Sequence, residues 1–155
     1  MISFFRILAV IGPAVGAGVM LAIGLILGGY WESLPPAEFI EWLVDHGWRL
    51  PPAIEAGMIP GMVGILAMLW LDRRDAARRR LWFGSAGCIA AVLVLTFVWL
   101  VPAEAAIVDG LVRFAEVAER RDVWLLMQNG RVVLALAASV LGTLAITVFA
   151  GGNKM

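Results

Sequence analysis

The chain has 155 residues, of which 62% are hydrophobic and 15% are charged, and its mean hydropathy is +0.92. A water-soluble domain of this length could not cover so much apolar surface with polar side chains, so the sequence predicts an integral membrane protein. Twelve basic and twelve acidic residues give a net charge of zero, which argues against nucleic-acid binding. Cys88 and His46 are the only cysteine and histidine, which argues against an internal disulfide and against a metal or haem cofactor.

Four apolar segments, at about residues 7–30, 53–71, 81–102 and 124–150, are long enough to cross a membrane as helices. A hydrocarbon core is about 30 Å thick and a helix rises about 1.5 Å per residue. The segments lack the alternation of barrel strands and are about twice as long as one. We therefore predict an all-α, four-helix membrane bundle that forms one domain over residues 1–155. The first segment extends past the core of a signal peptide, about 7 to 15 residues, so we expect an uncleaved anchor.

The distribution of arginine predicts the orientation of the bundle. Residues 72–80 carry five arginines, and Arg6 and Lys154 lie beyond the first and last spans. The connections at residues 31–52 and 103–122 instead carry more acidic than basic residues. By the positive-inside rule, the arginine-rich connection and both termini are cytoplasmic. A bacterial inner membrane suits this arrangement.

The first outer connection has the pattern of an amphipathic helix. Phe39, Trp42 and Leu43 recur at helical spacing, and acidic residues occupy the other positions. Pro35 and Pro36 are typical of a helix start, and Gly47 of a helix end. We predict a surface helix that lies on the outer face of the membrane.

Small residues four positions apart predict close contact between the spans. Helices in lipid gain little from burying apolar surface, so approach of their backbones contributes more to association. The pairs are Gly12 and Gly16, Gly24 and Gly28, Gly57 and Gly61, and Ala138 and Gly142.

Glu55 and Arg131 are the charged residues predicted to lie within the spans. Burying an unpaired charge in a membrane costs at least about 2.5 kcal/mol, so we expect these two side chains to be able to pair near the outer leaflet. Gln128 and Arg131 also share a helical stripe with small residues such as Ala135, which predicts that this stripe faces the bundle interior.

Two interpretations of these residues remain open. In the structural one, Glu55 and Arg131 neutralise each other and set the register of their helices. In the functional one, they belong to an outward-facing pocket. Its lining would be Glu55, Met58, Met62, Gln128, Arg131 and Trp124, with Glu104 and His46 at the rim.

The order of these features resembles a family of small four-helix membrane proteins that includes anthrone oxygenases. The shared features are the glycine-rich first span, the sequence SLPPAEFIEW at residues 33–42, Pro102 before a polar residue, and Trp124 followed by Arg131 and an alanine-rich run. The resemblance implies a four-helix bundle and, for some members, oxidation of polycyclic aromatic substrates without an obvious cofactor motif. Family members often have histidine where this chain has Gln128 and asparagine where it has Glu104. Glutamine cannot shuttle a proton as imidazole does, so catalysis here would differ.

Three functions are compatible with the sequence. The absence of a complete catalytic constellation favours a non-catalytic subunit or scaffold, whose partners would be the bilayer, another membrane protein or a second copy. The resemblance favours an oxygenase for a hydrophobic aromatic molecule, in which Arg131 would stabilise a phenolate or enolate and Glu55 would accept a proton. A transporter or channel would require an oligomer, because no polar path continues through the inner halves of the spans.

The orientation can be tested with a reporter that fluoresces only in the cytoplasm. We expect fluorescence from fusions after Arg74 and after Met155, and none from a fusion after Gly110, because arginine-rich connections stay in the cytoplasm. Fluorescence of the Gly110 fusion together with a dark Arg74 fusion would show the opposite orientation.

Overall fold

The computed structural model describes residues 2–147, which form helices joined by short turns. Residues 148–150 of the predicted fourth span, and Lys154, lie outside the described residues. Four helical stretches are long and apolar enough to cross a membrane: Ile2–Ser33, Pro36–Leu71, Ala76–Val108 and Phe114–Thr147. The predicted all-α, four-helix architecture is therefore confirmed for the described part of the chain.

Five helices are labelled here in chain order. They are α1 (Ile2–Ser33), α2 (Pro36–His46), α3 (Leu50–Leu71), α4 (Ala76–Val108) and α5 (Phe114–Thr147). A 3₁₀ turn, Gly47–Arg49, joins α2 to α3, and another, Phe114–Glu116, begins α5. Helix α1 contains a π-helical segment, Ile23–Leu27, and α4 contains a second one, Leu95–Leu100.

The four long helices form a bundle in which α1 packs between α3 and α5. Helix α4 packs mainly on α5 and less extensively on α3. A core of apolar side chains follows the bundle axis, and it includes Met20 from α1, Met68 from α3, Trp82 from α4 and Ala138 from α5. The predicted interior stripe of α5 is confirmed, because all of its members are buried: Gln128, Arg131, Ala135, Ala138 and Gly142.

Helices α1 and α3 contact each other through their backbones. A Cβ atom on Gly64 would overlap the backbone of Ala9, and one on Gly12 would overlap the backbone of Gly61. Of the glycines predicted to allow close approach, those at positions 12 and 16 of α1 therefore meet those at positions 57 and 61 of α3, whereas Gly24 and Gly28 meet side chains of α5. Such contact supplies the dispersion energy that holds helices together where lipid and side chains are equally apolar.

Two aspartates organise the turn between α3 and α4. The Asp75 carboxylate caps α4 by accepting hydrogen bonds from the backbone N–H groups of Ala77 at 3.1 Å and Arg78 at 3.0 Å. The Asp72 carboxylate accepts a hydrogen bond of 2.9 Å from the indole Nε1 of buried Trp82. Both acids of the arginine-rich connection thus have local structural roles. We call this end of the bundle the arginine end.

At the opposite end, called the α2 end, α2 packs on the long helices. Its side chains Phe39 and Leu43 are buried, and they join a second apolar core with Trp31, Ile107 and Leu125. The predicted amphipathic helix is therefore present, and its apolar face is directed at the bundle. Its position on a membrane surface remains a prediction.

The chain reverses between α4 and α5 through a glycine. Gly110 has φ +70°, a backbone conformation that L side chains rarely adopt. The Leu111 N–H then donates to the Ala106 carbonyl at 2.9 Å, which satisfies a carbonyl at the end of α4.

Replacing Gly64 with alanine tests the backbone contact. We expect Gly64→Ala to lower the free energy of unfolding by about 1 to 3 kcal/mol, because α1 must move away from α3. Gly18→Ala is the matched control in α1: its Cβ meets no atom within 4 Å, and alanine favours helix by up to about 1 kcal/mol. Both variants can be compared by denaturant titration in detergent micelles. Equal stability of the two variants would contradict the proposed role of this contact.

Candidate functional site

A buried network of polar side chains connects α1, α4 and α5. Gln128 is 0% exposed and Arg131 is 3% exposed. The Gln128 Nε2 donates to the Met20 carbonyl of α1 at 3.0 Å. The Arg131 guanidinium donates to Gln128 Oε1 and, at 3.0 Å, to the Thr96 hydroxyl of α4. Three helices are therefore held together by hydrogen bonds that start from two neighbouring positions of α5.

Both π-helical segments lie beside this network. Thr96 belongs to the segment Leu95–Leu100, and Gly24 belongs to Ile23–Leu27. A Cβ on Gly24 would lie 3.2 Å from the side-chain oxygen of Asn129, directly after Gln128 in α5. A π turn locally widens a helix and changes the register of its side chains, and such turns are frequent at functional sites.

Arg131 is a buried cation without a salt bridge among residues 2–147. Its Nε atom is also buried and has no hydrogen-bond partner. The acidic group that acts on it electrostatically is Glu104 of α4, which is half-buried. A buried cation without a close counter-charge is costly, so this position is a candidate functional site.

A small cavity lies at the α2 end of the bundle. Its volume is about 10 Å³, which is room for about one water molecule. The Nε1 atoms of Trp31 and Trp124 are buried and have no hydrogen-bond partner. The cavity is lined by Trp31, Phe39, Leu43, Glu104, Ile107 and Trp124.

Aromatic rings surround Trp31, and two of them, Phe39 and Trp124, line the cavity together with it. Its ring centroid lies 5.8 Å from that of Phe39, 5.0 Å from that of Trp42 and 5.6 Å from that of Trp124, all in edge-to-face geometry. These four residues are called the aromatic cluster. It offers flat apolar surfaces next to the carboxylate of Glu104.

The end of α2 brings His46 to the same region. The His46 ring stacks on Trp42 with a centroid distance of 5.4 Å, and its Nδ1 is buried without a partner. A Cβ on the next residue, Gly47, would lie 3.0 Å from Glu104 Oε1. A side chain at position 47 would therefore require the Glu104 carboxylate to shift slightly.

Arg121 fixes the position of the aromatic cluster, a role that the sequence did not reveal. Its Nη1 donates to the Trp31 carbonyl at 2.6 Å and to the Leu34 carbonyl at 3.3 Å. Its guanidinium also lies 5.7 Å from the ring centroid of Phe39. Helical spacing could have identified Arg121 from the sequence. It precedes Gln128 by two helical turns, so it lies on the same buried stripe of α5.

The predicted pair of Glu55 and Arg131 is not formed. Glu55 is exposed, and it has no salt bridge within the described chain. Met58 and Met62 contribute to the apolar core instead of the cavity, and Met58 packs against Gly16 of α1. The glycine contact between α1 and α3 sets the rotation of α3, which turns Glu55 outward.

The predicted pocket residues therefore separate into groups. Gln128 and Arg131 share one hydrogen-bond network, Glu104 and Trp124 line the cavity, and His46 lies at the end of α2 near them. Within the part of the chain that the structure describes, no group of three or more histidine, cysteine, aspartate and glutamate residues could hold a metal ion.

Comparison with protein-family models, with curated proteins and with solved structures found no match to this chain.

Substitution of Gln128 tests the buried network. We expect Gln128→Leu to lower the free energy of unfolding by about 1 to 2 kcal/mol, because it removes a hydrogen bond to α1 and leaves Arg131 with one fewer acceptor. Asn129→Leu is the control, since Asn129 is exposed. Denaturant titration of both variants gives the comparison, and an equal loss in both would show that the network does not stabilise the bundle.

Proposed function

We propose that this protein binds a small hydrophobic aromatic molecule at the α2 end and oxidises it, as the resemblance to anthrone oxygenases implies. The observation that carries the proposal is the concentration of buried, unpartnered nitrogen atoms near the half-buried Glu104. They are Trp31 Nε1, Trp124 Nε1, His46 Nδ1 and Arg131 Nε. Native proteins leave few buried polar atoms unsatisfied, so such a group at one end of a bundle favours a ligand site.

The aromatic cluster indicates the class of ligand. Aromatic rings pack well against Trp31 and Trp124 in edge-to-face or offset geometry. The indole N–H groups of the same residues can donate hydrogen bonds to oxygen atoms at the edge of such a molecule. A polycyclic phenol or ketone combines both features.

The residues also support a chemical role. In the oxidation of a methylene between two aromatic rings to a ketone by dioxygen, with loss of water, a base must first remove a proton from carbon. In this proposal Glu104, which lines the cavity, accepts the proton, and Arg131 stabilises the resulting enolate once the cavity has enlarged. Both effects are strengthened where water is excluded. Glu104 thus takes the role that the sequence suggested for Glu55.

Binding requires the cavity to enlarge. Pockets for such ligands have volumes of about 300 to 1,000 Å³, whereas the closed cavity has about 10 Å³. Helix α2 covers it, and irregular segments at residues 34–35 and 47–49 flank that helix. We propose that displacement of α2 admits the ligand, as lids do in other enzymes.

A non-catalytic subunit or scaffold is the second candidate. The observation that favours it is the set of side chains that donate to backbone carbonyls of neighbouring helices. Ser85 donates to the Ala138 carbonyl and Ser139 to the Val10 carbonyl, each at 2.9 Å. In this proposal the polar residues serve helix packing, and the partner is another membrane protein or a second copy.

Titration with anthrone, followed by tryptophan fluorescence and by oxygen consumption, separates the two candidates. We expect saturable quenching and oxygen uptake with the unmodified protein. Glu104→Gln should lower the rate of uptake by about 100-fold or more, because a general base contributes at least that factor, and should retain the quenching. Glu55→Gln is the control and should keep the full rate, since Glu55 is exposed.

Two results would contradict the oxygenase proposal. One is the absence of saturable quenching with anthrone and with a panel of related polycyclic phenols and ketones, which would favour the scaffold. The other is an unchanged rate in a folded Glu104→Gln variant.

A further inference from the structure

A groove lies between α1 and α5 at the arginine end, far from the aromatic cluster. Its volume is about 420 Å³, within the range of about 300 to 1,000 Å³ that is common for small-molecule sites. It opens on the side of the bundle, and several of its side chains are exposed there. The groove is lined by Ser3, Arg6, Ile7, Val10, Ile11, Thr143, Ile146 and Thr147.

Arg6 is the charged residue of this groove. It is half-buried, and its Nε atom is buried without a hydrogen-bond partner. It forms no salt bridge within residues 2–147. The two aspartates at the arginine end are engaged elsewhere, since Asp72 accepts from Trp82 and Asp75 caps α4. Arg6 therefore has a guanidinium available for an anion.

The wall of the groove becomes apolar away from Arg6. Ile7, Val10 and Ile11 continue along α1, and Ile11 lies about 7 to 8 Å further along the helix axis than Arg6. On α5, the hydroxyl groups of Thr143 and Thr147 donate to carbonyls of their own helix at 2.9 Å. The deeper part of the groove thus offers hydrocarbon contacts.

We propose that this groove binds an anionic phospholipid. The phosphate accepts hydrogen bonds from Arg6, and an acyl chain follows the isoleucines and valine of α1. A guanidinium pairs well with a phosphate because its N–H groups match two oxygen atoms. Charge complementarity selects the ligand: the same end of the bundle carries the arginines of residues 72–80, which attract anionic headgroups. This site is independent of the proposed oxygenase activity.

Native mass spectrometry of the full-length protein in detergent tests the proposal. Phosphatidylglycerol and phosphatidylcholine with identical acyl chains are added at equal concentration. We expect the unmodified protein to retain phosphatidylglycerol about fivefold more than phosphatidylcholine, in line with one arginine at a membrane surface. Arg6→Gln should abolish this preference, and Arg6→Lys should keep part of it.

Two further variants complete the experiment. Arg74→Gln removes an exposed arginine of the α3–α4 connection that does not line the groove, and it should lower the preference much less than Arg6→Gln does. Ile11→Trp fills the groove while keeping Arg6, and should reduce retention of phosphatidylglycerol. Because Ile11 is 52% exposed, this variant is expected to fold even if Arg6→Gln does not.

The proposal is overturned by any of three results. The first is equal retention of both lipids by the unmodified protein. The second is loss of preference in Arg74→Gln as large as in Arg6→Gln, which would indicate general surface charge. The third is full retention of phosphatidylglycerol by Ile11→Trp.

Discussion

The backbone contact between α1 and α3 determines how the rest of the bundle is arranged. Where Gly12 meets Gly61 and Ala9 meets Gly64, neither helix can rotate about its axis without a steric clash. This contact turns Met58 into the core and leaves Glu55 exposed. It also places α1 where the Met20 carbonyl can accept the hydrogen bond of Gln128. An apolar contact with no chemical function thus decides which polar residues can meet.

Helix α5 links the two ends of the site through one stripe of residues. Arg121 holds the end of α1, Gln128 binds its middle, and Arg131 reaches Thr96 of α4. In the interior of a bundle, each of these groups would be costly without its partner, so their geometry restricts the helices to one arrangement. The unpartnered indole nitrogens of Trp31 and Trp124 belong to residues that line the cavity, and for this reason the proposed ligand site lies at the α2 end.

The two ends of the molecule differ in the cavities that they form. At the α2 end, the aromatic cluster and Glu104 surround a closed cavity, and α2 must move before a ligand of ordinary size can enter. At the arginine end, the groove beside Arg6 is already open, and half of its lining residues are aliphatic. The proposed ligand site and the proposed lipid groove therefore lie at opposite ends of the bundle, and the apolar core that includes Met20, Met68 and Trp82 lies between them.

The sequence by itself determined the four helices, the helix in the first connection and the buried stripe of Gln128 and Arg131, since apolar length and helical spacing are local properties. Only the tertiary structure decided that Glu55 is exposed and that Glu104 lines the cavity instead. It also decided that Arg121 reaches the Trp31 carbonyl, 90 residues earlier, and that π turns bring Thr96 to the network. These contacts depend on the rotation of each helix about its axis. Glycine packing between segments that are distant in sequence sets this rotation, so the pattern within a single segment does not predict it.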